Sequence, residues 1–226
     1  MRAMILAAGL GKRMRPLTAK TPKPLLEVGG KPLIEHLIER LIEGGVNSVV
    51  INHHYLGEMV EKSLGNGSRF GIEILYSKET DLLETGGGII NSLSKLRDES
   101  FIVVNADIWT DFNFECLESI NADQRLAHLV LVRNREHNPS GDFHINKAGL
   151  VHAVGKDSSK CFTFSGISVL HRKLFEGYQA EPVSLIPFLK MAMAKDLVTG
   201  EVHEGVWIDV GTPQRLEEVA TLTSSN

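Results

Sequence analysis

The sequence predicts an α/β fold in which helices cover both faces of a mostly parallel sheet. Up to about Val132, short apolar segments alternate with segments whose apolar residues recur at helical spacing. The chain has 226 residues, 42% of them hydrophobic, which suits one large α/β domain with its own core. Ligands of such sheets bind beyond the carboxyl ends of the strands, so the residues that follow strands are the most informative.

The first part of the chain contains five predicted strands and three predicted helices. The strands are residues 3–7, 48–52, 72–76, 101–105 and 127–132, and the helices are residues 32–44, 55–64 and 85–93. Pro32 stands near the start of the first helix and Gly44-Gly45 ends it, as is typical of helix termini.

The pattern changes from Asp142 onward. Residues 143–145 and 150–154 predict a hairpin, and residues 162–170 a long strand. Two further helices, residues 184–194 and 212–223, flank the predicted strands 198–203 and 206–209. Thr212-Pro213 is a typical helix start, with an N-cap residue followed by proline.

Composition excludes several classes of protein. The formal net charge of −4 argues against a general nucleic-acid binder, because phosphate neutralisation needs a basic surface. No apolar segment approaches the roughly 20 residues of a membrane span, and none resembles a secretion signal. Cys116 and Cys161 lack metal-site spacing, so we expect neither a disulfide scaffold nor a zinc site. On these absences we expect a cytoplasmic protein.

A glycine-rich basic loop follows the first strand. Between Gly9 and Lys23 there are five cations and no acid, in a chain that is acidic overall. Glycines let a backbone approach a polyanion with its amide groups, and the cations can neutralise a departing pyrophosphate. Lys23 stands between two prolines, which stiffen the backbone that carries it.

This loop differs from two familiar phosphate-binding motifs. A Walker A loop requires serine or threonine after Gly-Lys, where this chain has Arg13. A dinucleotide-binding fingerprint requires a third glycine, where this chain has Met14. A solvated surface loop is the alternative, and the order of the motif as a whole favours a phosphate site.

Two aspartates follow predicted strands. Asp107 comes directly after a buried strand, and Asp209 ends a strand ahead of a helix. We expect both on the same rim of the sheet as the basic loop, where two carboxylates and substrate phosphates would suit Mg²⁺. Asp111 is interpreted as a helix-capping or solvated acid.

The motifs together resemble the sugar nucleotidyltransferases, or nucleoside-diphosphate-sugar pyrophosphorylases. Residues 6–18 with Pro22-Lys23-Pro24 resemble the family's signature loop, and residues 84–88, Glu-Thr-Gly-Gly-Gly, its nucleotide-binding turn. Asn105-Ala106-Asp107 and residues 207–213 resemble its two metal aspartates, and residues 164–167 a strand of its sugar pocket. The resemblance covers essentially the whole chain. It implies a single Rossmann-like domain with a mixed, mostly parallel central sheet flanked by helices, divided at about residue 132 into a nucleotide-binding and a sugar-binding part.

The resemblance also implies an activity. The sugar-phosphate oxygen attacks the α-phosphorus of a nucleoside triphosphate, pyrophosphate leaves, and Mg²⁺ is the cofactor. The short length and the Glu-Thr-Gly-Gly-Gly turn are most similar to members that join UTP to N-acetylmuramate 1-phosphate in bacterial cell-wall recycling. Mannose-1-phosphate guanylyl transfer, glucose-1-phosphate uridylyl or thymidylyl transfer, and a non-catalytic nucleotide-sugar-binding subunit stay open. We expect no nucleic-acid or membrane partner, and a monomer or small homo-oligomer.

Site residues follow from the same resemblance. The implied catalytic residues are Lys23, Arg13 and Asp107, and the implied metal ligands are Asp107 and Asp209. The implied nucleotide-binding residues are Ala8, Gly9, Gly11, Lys12, Arg13, Lys23, Glu84, Thr85 and Gly86. The implied sugar-binding residues are Asn105, Gly141, Asp142 and Gly166.

Some assignments cannot be made from spacing alone. Many relatives carry a Glu-Lys-Pro segment that contacts the sugar, where this chain has Val154-Gly155-Lys156-Asp157. The lactyl carboxylate of N-acetylmuramate needs a donor, and the candidates are His144, Arg133, Arg135 and Lys156. Adjacent strand residues point to opposite faces, so His53-His54 is not expected to be a metal site. Trp109 and Trp207 are expected to pack in the core.

Overall fold

A computed structural model describes residues 1–118, 120, 125–136, 138–154 and 161–224. Its strands are β1 (Ala3–Leu6), β2 (Glu27–Val28), β3 (Lys31–Pro32), β4 (Ser48–His53), β5 (Glu73–Lys78), β6 (Ser100–Asn105), β7 (Ile108–Thr110), β8 (Ala127–Val132), β9 (Phe143–Ile145), β10 (Val151–Ala153), β11 (Thr163–His171), β12 (Val198–His203) and β13 (Trp207–Asp209). Its helices are α1 (Leu33–Glu43), α2 (Gly57–Leu64), α3 (Glu84–Leu96), α4 (Ile186–Met193) and α5 (Pro213–Ser224).

Seven strands form the central sheet, in the order β12-β8-β11-β6-β1-β4-β5. Strands β1, β4, β5 and β6 run parallel, whereas β11 is antiparallel to both β6 and β8. The predicted mixed, mostly parallel sheet with flanking helices is therefore confirmed. Two strands of this sheet, β11 and β12, come from the part of the chain after residue 132. The division of the chain at that residue into a nucleotide-binding and a sugar-binding part stays a prediction.

The core lies on both faces of this sheet because successive strand residues point to opposite sides. In β1, Ala3 and Ile5 pack into one buried apolar cluster and Met4 into the other. Helix α1 contributes Leu37 and Leu41 to the first cluster, at the spacing that predicted the helix. Within the described part of the chain, every helix is too short or too polar to cross a bilayer.

The parallel register sets the position of the site. Leu6, at the end of β1, is level with Asn52 of β4 on one side and with Asn105 of β6 on the other. The segments that follow these three strands therefore leave the sheet side by side. This edge carries the basic loop and Asp107.

One sequence expectation about this edge is wrong. Asp209 was expected on the rim of the central sheet, but β13 pairs with β7 in a separate two-stranded sheet. Since β7 begins directly after Asp107, the small sheet itself brings the two aspartates together. The β2–β3 hairpin and β7 were not predicted, because strands of two or three residues carry too short a pattern.

Candidate active site

A cleft of about 490 Å³ opens at the carboxyl edge of β1, β4 and β6. From the basic loop, its walls include the predicted residues Ala8, Gly9, Gly11, Lys12, Arg13 and Lys23. From the other segments they include Glu84, Thr85, Asn105 and Asp107. The structure thus brings ten of the predicted site residues to one cavity, while their chemical roles stay predictions.

Two local features shape the basic loop. Gly11 has a φ of +59°, and the Thr18 hydroxyl donates a 2.8 Å hydrogen bond to its carbonyl. A Cβ on Gly11 would lie 2.9 Å from Thr18 Cγ2, so only glycine fits without strain. Met14 is buried where a dinucleotide fingerprint has glycine, and it anchors the loop while Lys12 and Arg13 remain exposed. Its side chain packs against Leu33 and Val210 in a third apolar cluster.

Asn52 is a cleft residue that the sequence reasoning missed. Its Oδ1 accepts a 2.9 Å hydrogen bond from the Ala7 amide, and its Nδ2 donates to Glu79 Oε1 at 2.6 Å. The buried Glu79 also accepts from the Leu83 amide, at 3.1 Å, ahead of α3. These bonds connect the start of the basic loop to the Glu-Thr-Gly-Gly-Gly turn. Asn52 lies one residue before the end of β4, and an asparagine near a strand end carries no local signal that identifies a cleft residue.

The glycines of that turn are required by packing. A Cβ on Gly86 would lie 2.8 Å from the Ser184 carbonyl oxygen, and one on Gly87 would lie 2.1 Å from that of Glu181. On Gly88 it would lie 2.6 Å from Glu79 Oε1. Gly86 is buried and does not line the cleft, unlike its neighbours Glu84 and Thr85.

Thr85 and Glu84 begin α3 at the cleft. The Thr85 hydroxyl accepts a 2.8 Å hydrogen bond from the Leu185 amide, so its side chain already holds the segment that precedes α4. Glu84 has a φ of +58°, an uncommon conformation for a residue other than glycine, and it occurs here at a ligand-sized cleft.

Lys23 reaches Asp107 across the cleft. Its Nζ donates to Asp107 Oδ2 at 2.5 Å, and the side chains are 13% and 30% exposed respectively. Pro22 is extended and Lys23–Leu25 forms a 3-10 turn, which fixes the direction in which the lysine leaves the backbone. The cationic loop and the first predicted metal ligand therefore meet, as the sequence argument requires.

The backbone of Asp209 lies beside that of Asp107 through the small sheet, and Asp209 is not among the residues of the cleft wall. Asp209 is level with Ile108, and the Val210 amide donates to the Asp107 carbonyl at 2.8 Å. The Nη1 atom of Arg215, on α5, contacts Asp209 Oδ2 at 2.9 Å and the Asp209 carbonyl at 3.0 Å. Arg215 thereby holds the orientation of the carboxylate.

Arg13 approaches the same carboxylate from the basic loop. An ideal Cβ built on Gly211 lies 2.6 Å from Asp209 Oδ1 and 3.2 Å from Arg13 Nη2. Because Gly211 has no side chain, the Arg13 guanidinium and the Asp209 carboxylate can both lie against its backbone. Gly211 is also part of the cleft wall.

The two aspartates fit a divalent cation. Their carboxylates supply the oxygen ligands that Mg²⁺ prefers, on backbones held by hydrogen bonds. Substrate phosphates and water would supply the remaining ligands. Each carboxylate already has a protein cation against it, Lys23 for Asp107 and Arg215 for Asp209, so both positions favour positive charge. Among the described residues, no group of three His, Cys, Asp or Glu side chains forms a metal site without substrate.

The predicted sugar-binding residues separate into two pairs. Gly166 has a φ of +80° at a bulge in β11, and a Cβ there would lie 2.4 Å from Asn105 Nδ2, so these two residues are in contact. Gly141 and Asp142 do not line the cleft. Asp142 Oδ2 instead accepts a 2.8 Å hydrogen bond from the Phe164 amide, near the start of β11.

The structure also bears on the predicted roles of His53, the two tryptophans and Asp111. His53 is buried and contacts Glu61 Oε1 through Nε2 at 2.6 Å, which agrees with a packing role. Trp207 is buried, with its indole Nε1 donating to the Ser165 carbonyl, and Trp109 packs edge-on to His36. Asp111 is exposed, in agreement with its interpretation as a solvated acid, and it does not cap the next turn. Its Oδ1 lies 2.8 Å from His203 Nε2 instead, and Asn113 caps the next turn.

Of the segment that stands in place of the family's Glu-Lys-Pro motif, the structure describes the first residue. Val154 is described, whereas Gly155, Lys156 and Asp157 lie outside the described residues. The difference in sugar contacts that this departure implies stays a prediction.

Comparisons with known proteins agree with this geometry. Residues 2–156 match the family described as Nucleotidyl transferase. The chain is 44% identical to an N-acetylmuramate alpha-1-phosphate uridylyltransferase of Neisseria meningitidis serogroup B, over 100% of this chain and 99% of that protein. It is 33% identical to the protein of the same name from Caulobacter vibrioides, over 94% and 92% of the two chains.

A solved structure supports the fold. The inositol-1-phosphate CTP transferase from T. maritima matches with a TM-score of 0.81 at 21% identity, over 99% of this chain and 94% of that chain. The family resemblance noted from the motifs is confirmed. The chain belongs to the nucleotidyl transferase family, as one of its sugar-1-phosphate nucleotidyltransferases.

Proposed function

We propose that this enzyme transfers UMP from UTP to N-acetylmuramate 1-phosphate, giving UDP-N-acetylmuramate and pyrophosphate, with Mg²⁺ as cofactor. The observation that carries the chemistry is the convergence of the cationic loop and two carboxylates, seen in the Lys23–Asp107 contact and in Arg13 beside Asp209. The choice of sugar and base is supported by the 44% identity to the Neisseria protein over both full lengths. A role in cell-wall recycling in the cytoplasm is part of the same proposal.

The residues of the cleft position reactants and neutralise charge. The attacking oxygen belongs to a phosphate that is already anionic at neutral pH, so the enzyme needs no general base. Lys12, Arg13 and the loop amides would hold the β- and γ-phosphates, and Lys23 would stabilise charge around the α-phosphate. Asp107 and Asp209 would hold Mg²⁺, which when bound would supply positive charge that neutralises the reacting phosphates.

The nucleotide base would lie at the other end of the cleft. The backbone near Ala8 and Gly9 and the start of α3 form this end, and the Asn52–Glu79 hydrogen bonds fix their relative position. Backbone amides and carbonyls held in this way can read the edge of a base without side-chain movement. The polyphosphate would then extend toward Lys12 and Arg13.

A pyrophosphate-release screen tests the proposal. Each of the four common nucleoside triphosphates is incubated with Mg²⁺ and the 1-phosphates of N-acetylmuramate, N-acetylglucosamine, mannose or glucose. We expect the highest kcat/KM for UTP with N-acetylmuramate 1-phosphate. A preference for GTP with mannose 1-phosphate, or for a glucose 1-phosphate pair, would overturn the substrate assignment. Absence of release with every pair would overturn the transfer reaction itself.

A further inference from the structure

A second cavity, of about 340 Å³, lies against the free edge of β13. Backbone groups of Val206 and Val210 point toward the β7 side. The Asp111 amide donates a hydrogen bond to the Val206 carbonyl, and the Val210 amide donates one to the Asp107 carbonyl. The carbonyls of Trp207 and Asp209 therefore face away from β7. An arginine side chain donates a hydrogen bond to each of these two carbonyls.

The two arginines form one wall of this cavity. Arg135 Nη2 donates to the Trp207 carbonyl at 2.7 Å, and Arg215 Nη1 donates to the Asp209 carbonyl at 3.0 Å. These bonds hold two guanidinium groups at carbonyls two residues apart on a single strand. Asp209 is part of the same cavity, which is within the range of about 300–1,000 Å³ of small-molecule sites.

The two arginines differ in whether a carboxylate compensates their positive charge. Arg215 is paired with the Asp209 carboxylate, so its charge is largely compensated. Arg135 has no carboxylate partner among the described residues, and its one hydrogen bond there is to a neutral carbonyl. Its remaining guanidinium donors suit bidentate recognition of a carboxylate. Glu136 and Glu218 also line the cavity but are exposed to solvent, which screens their repulsion of an anion.

The structure distinguishes among the three described candidates for binding a lactyl carboxylate, which are Arg133, Arg135 and His144. Arg133 donates to both carboxylate oxygens of Glu204, a pairing that raises the pKa of the arginine and lowers that of the glutamate. His144 lies opposite His152 in the β9–β10 hairpin and does not line the second cavity. Lys156 lies outside the described residues. Of the three candidates that the structure describes, Arg135 alone lines a cavity together with one of the two aspartates.

The second cavity is also connected to the predicted sugar site. The Trp207 indole donates to the carbonyl of Ser165, the residue before Gly166, and the Trp207 carbonyl accepts from Arg135. One buried tryptophan therefore fixes Arg135 relative to the bulge that carries Gly166 and Asn105. A sugar whose 1-phosphate reaches the aspartates could extend along β13 toward Arg135.

We propose that Arg135 is the specificity-determining residue that binds the lactyl carboxylate of the sugar in the second cavity. The inference rests on the proposed function, since only an N-acetylmuramate substrate brings this carboxylate. N-acetylglucosamine 1-phosphate is the matched comparison, because it lacks the lactyl group and is otherwise the same sugar. Arg135 therefore sets the preference for one of these two acceptors over the other and takes no part in the transfer step.

The test compares the two acceptors in the full-length enzyme. Arg135→Ala is expected to lower kcat/KM for N-acetylmuramate 1-phosphate by about 10- to 100-fold, mostly through KM, the range expected for a lost charged hydrogen bond. For N-acetylglucosamine 1-phosphate it should leave kcat/KM unchanged. Arg135→Lys should recover part of the selectivity, because the charge returns without the planar fork. Arg133→Ala is the control and should not alter the ratio.

Product binding gives a second readout that does not need turnover. Calorimetric Kd values for UDP-N-acetylmuramate and UDP-N-acetylglucosamine should differ in the wild type and become similar in Arg135→Ala. An equal loss for both sugars would show that Arg135 only caps the edge of β13, and an unchanged ratio would exclude the contact. A wild type that favours N-acetylmuramate, with a variant of unchanged selectivity, overturns this inference alone. A wild type without that preference overturns the proposed function as well.

Discussion

The ammonium of Lys23 lies 2.5 Å from Oδ2 of Asp107, although the two residues are 84 positions apart in the chain. The contact joins the end of the basic loop to the end of β6. It places a cation of the basic loop against the first predicted metal ligand, as binding of one triphosphate by both would require. A fold that placed Lys23 on the other side of the sheet would have excluded the proposed chemistry.

The first prediction concerns Lys23. Lys23→Ala should lower kcat by about 10²-fold or more, because it removes a fixed cation from the region where charge develops on the α-phosphate. Pyrophosphate release at saturating substrates measures this effect. Lys20→Ala is the matched control, since Lys20 is exposed in the same loop and does not line the cleft. Near-normal turnover of Lys23→Ala would show that Lys23 has no catalytic role.

The second prediction concerns the two aspartates. Asp107→Asn and Asp209→Asn should each weaken binding of Mn²⁺, used as a spectroscopic substitute for Mg²⁺ in the presence of UTP, by about 10-fold or more. Electron paramagnetic resonance of unbound Mn²⁺ measures this without turnover. Asp111→Asn is the control, because Asp111 is paired with His203. If both variants bind the ion as well as the wild type does, the metal site lies elsewhere.

The third prediction separates two uses of glycine. A Cβ on Gly9 would meet nothing within 4 Å, so Gly9→Ala should leave the thermal midpoint unchanged while it raises KM for the nucleotide, because it narrows the cleft. A Cβ on Gly87 would lie 2.1 Å from the Glu181 carbonyl oxygen, so Gly87→Ala should destabilise the fold by about 1–3 kcal/mol. Scanning calorimetry and nucleotide titration separate the two effects. Loss of stability in Gly9→Ala would contradict this assignment.

The fourth prediction concerns pH. Burial, followed by the charge of Glu61, raises the pKa of Tyr76 from 10.0 to about 12, and its hydroxyl donates to the Gly65 carbonyl. The unfolded chain would release this proton near pH 10 and the folded chain only near pH 12. The contribution to stability is therefore complete below pH 10 and is lost as the pH rises to about 12.

Tyr76→Phe removes this titration. The stability advantage of the wild type over the variant should shrink between about pH 10 and pH 12, as measured by urea unfolding. Other groups titrate in both proteins, and the difference between them cancels that background. Parallel loss of stability in the two proteins would show that Tyr76 is not responsible.

Much of the fold could be predicted because strands and helices here have clear periodic patterns. The apolar residues of α1 and the continuous apolar strands β4, β6 and β8 were located within a few residues of their observed bounds. The order of glycines, cations and prolines after β1 predicted the basic loop, because these local properties depend on few neighbours. Asn52 was missed because an asparagine at a strand end has no distinctive local pattern.

The sequence by itself determined the longer helices and strands, the presence of a cationic loop and the two candidate aspartates, since composition and spacing specify these locally. Only the tertiary structure decided that Asp209 reaches Asp107 through the β7–β13 pair and that Lys23 faces Asp107. It alone distinguished Arg135, anchored on the Trp207 carbonyl, from Arg133, paired with Glu204. These relationships depend on strand pairing and side-chain contacts between residues 70 or more positions apart, which no local pattern encodes.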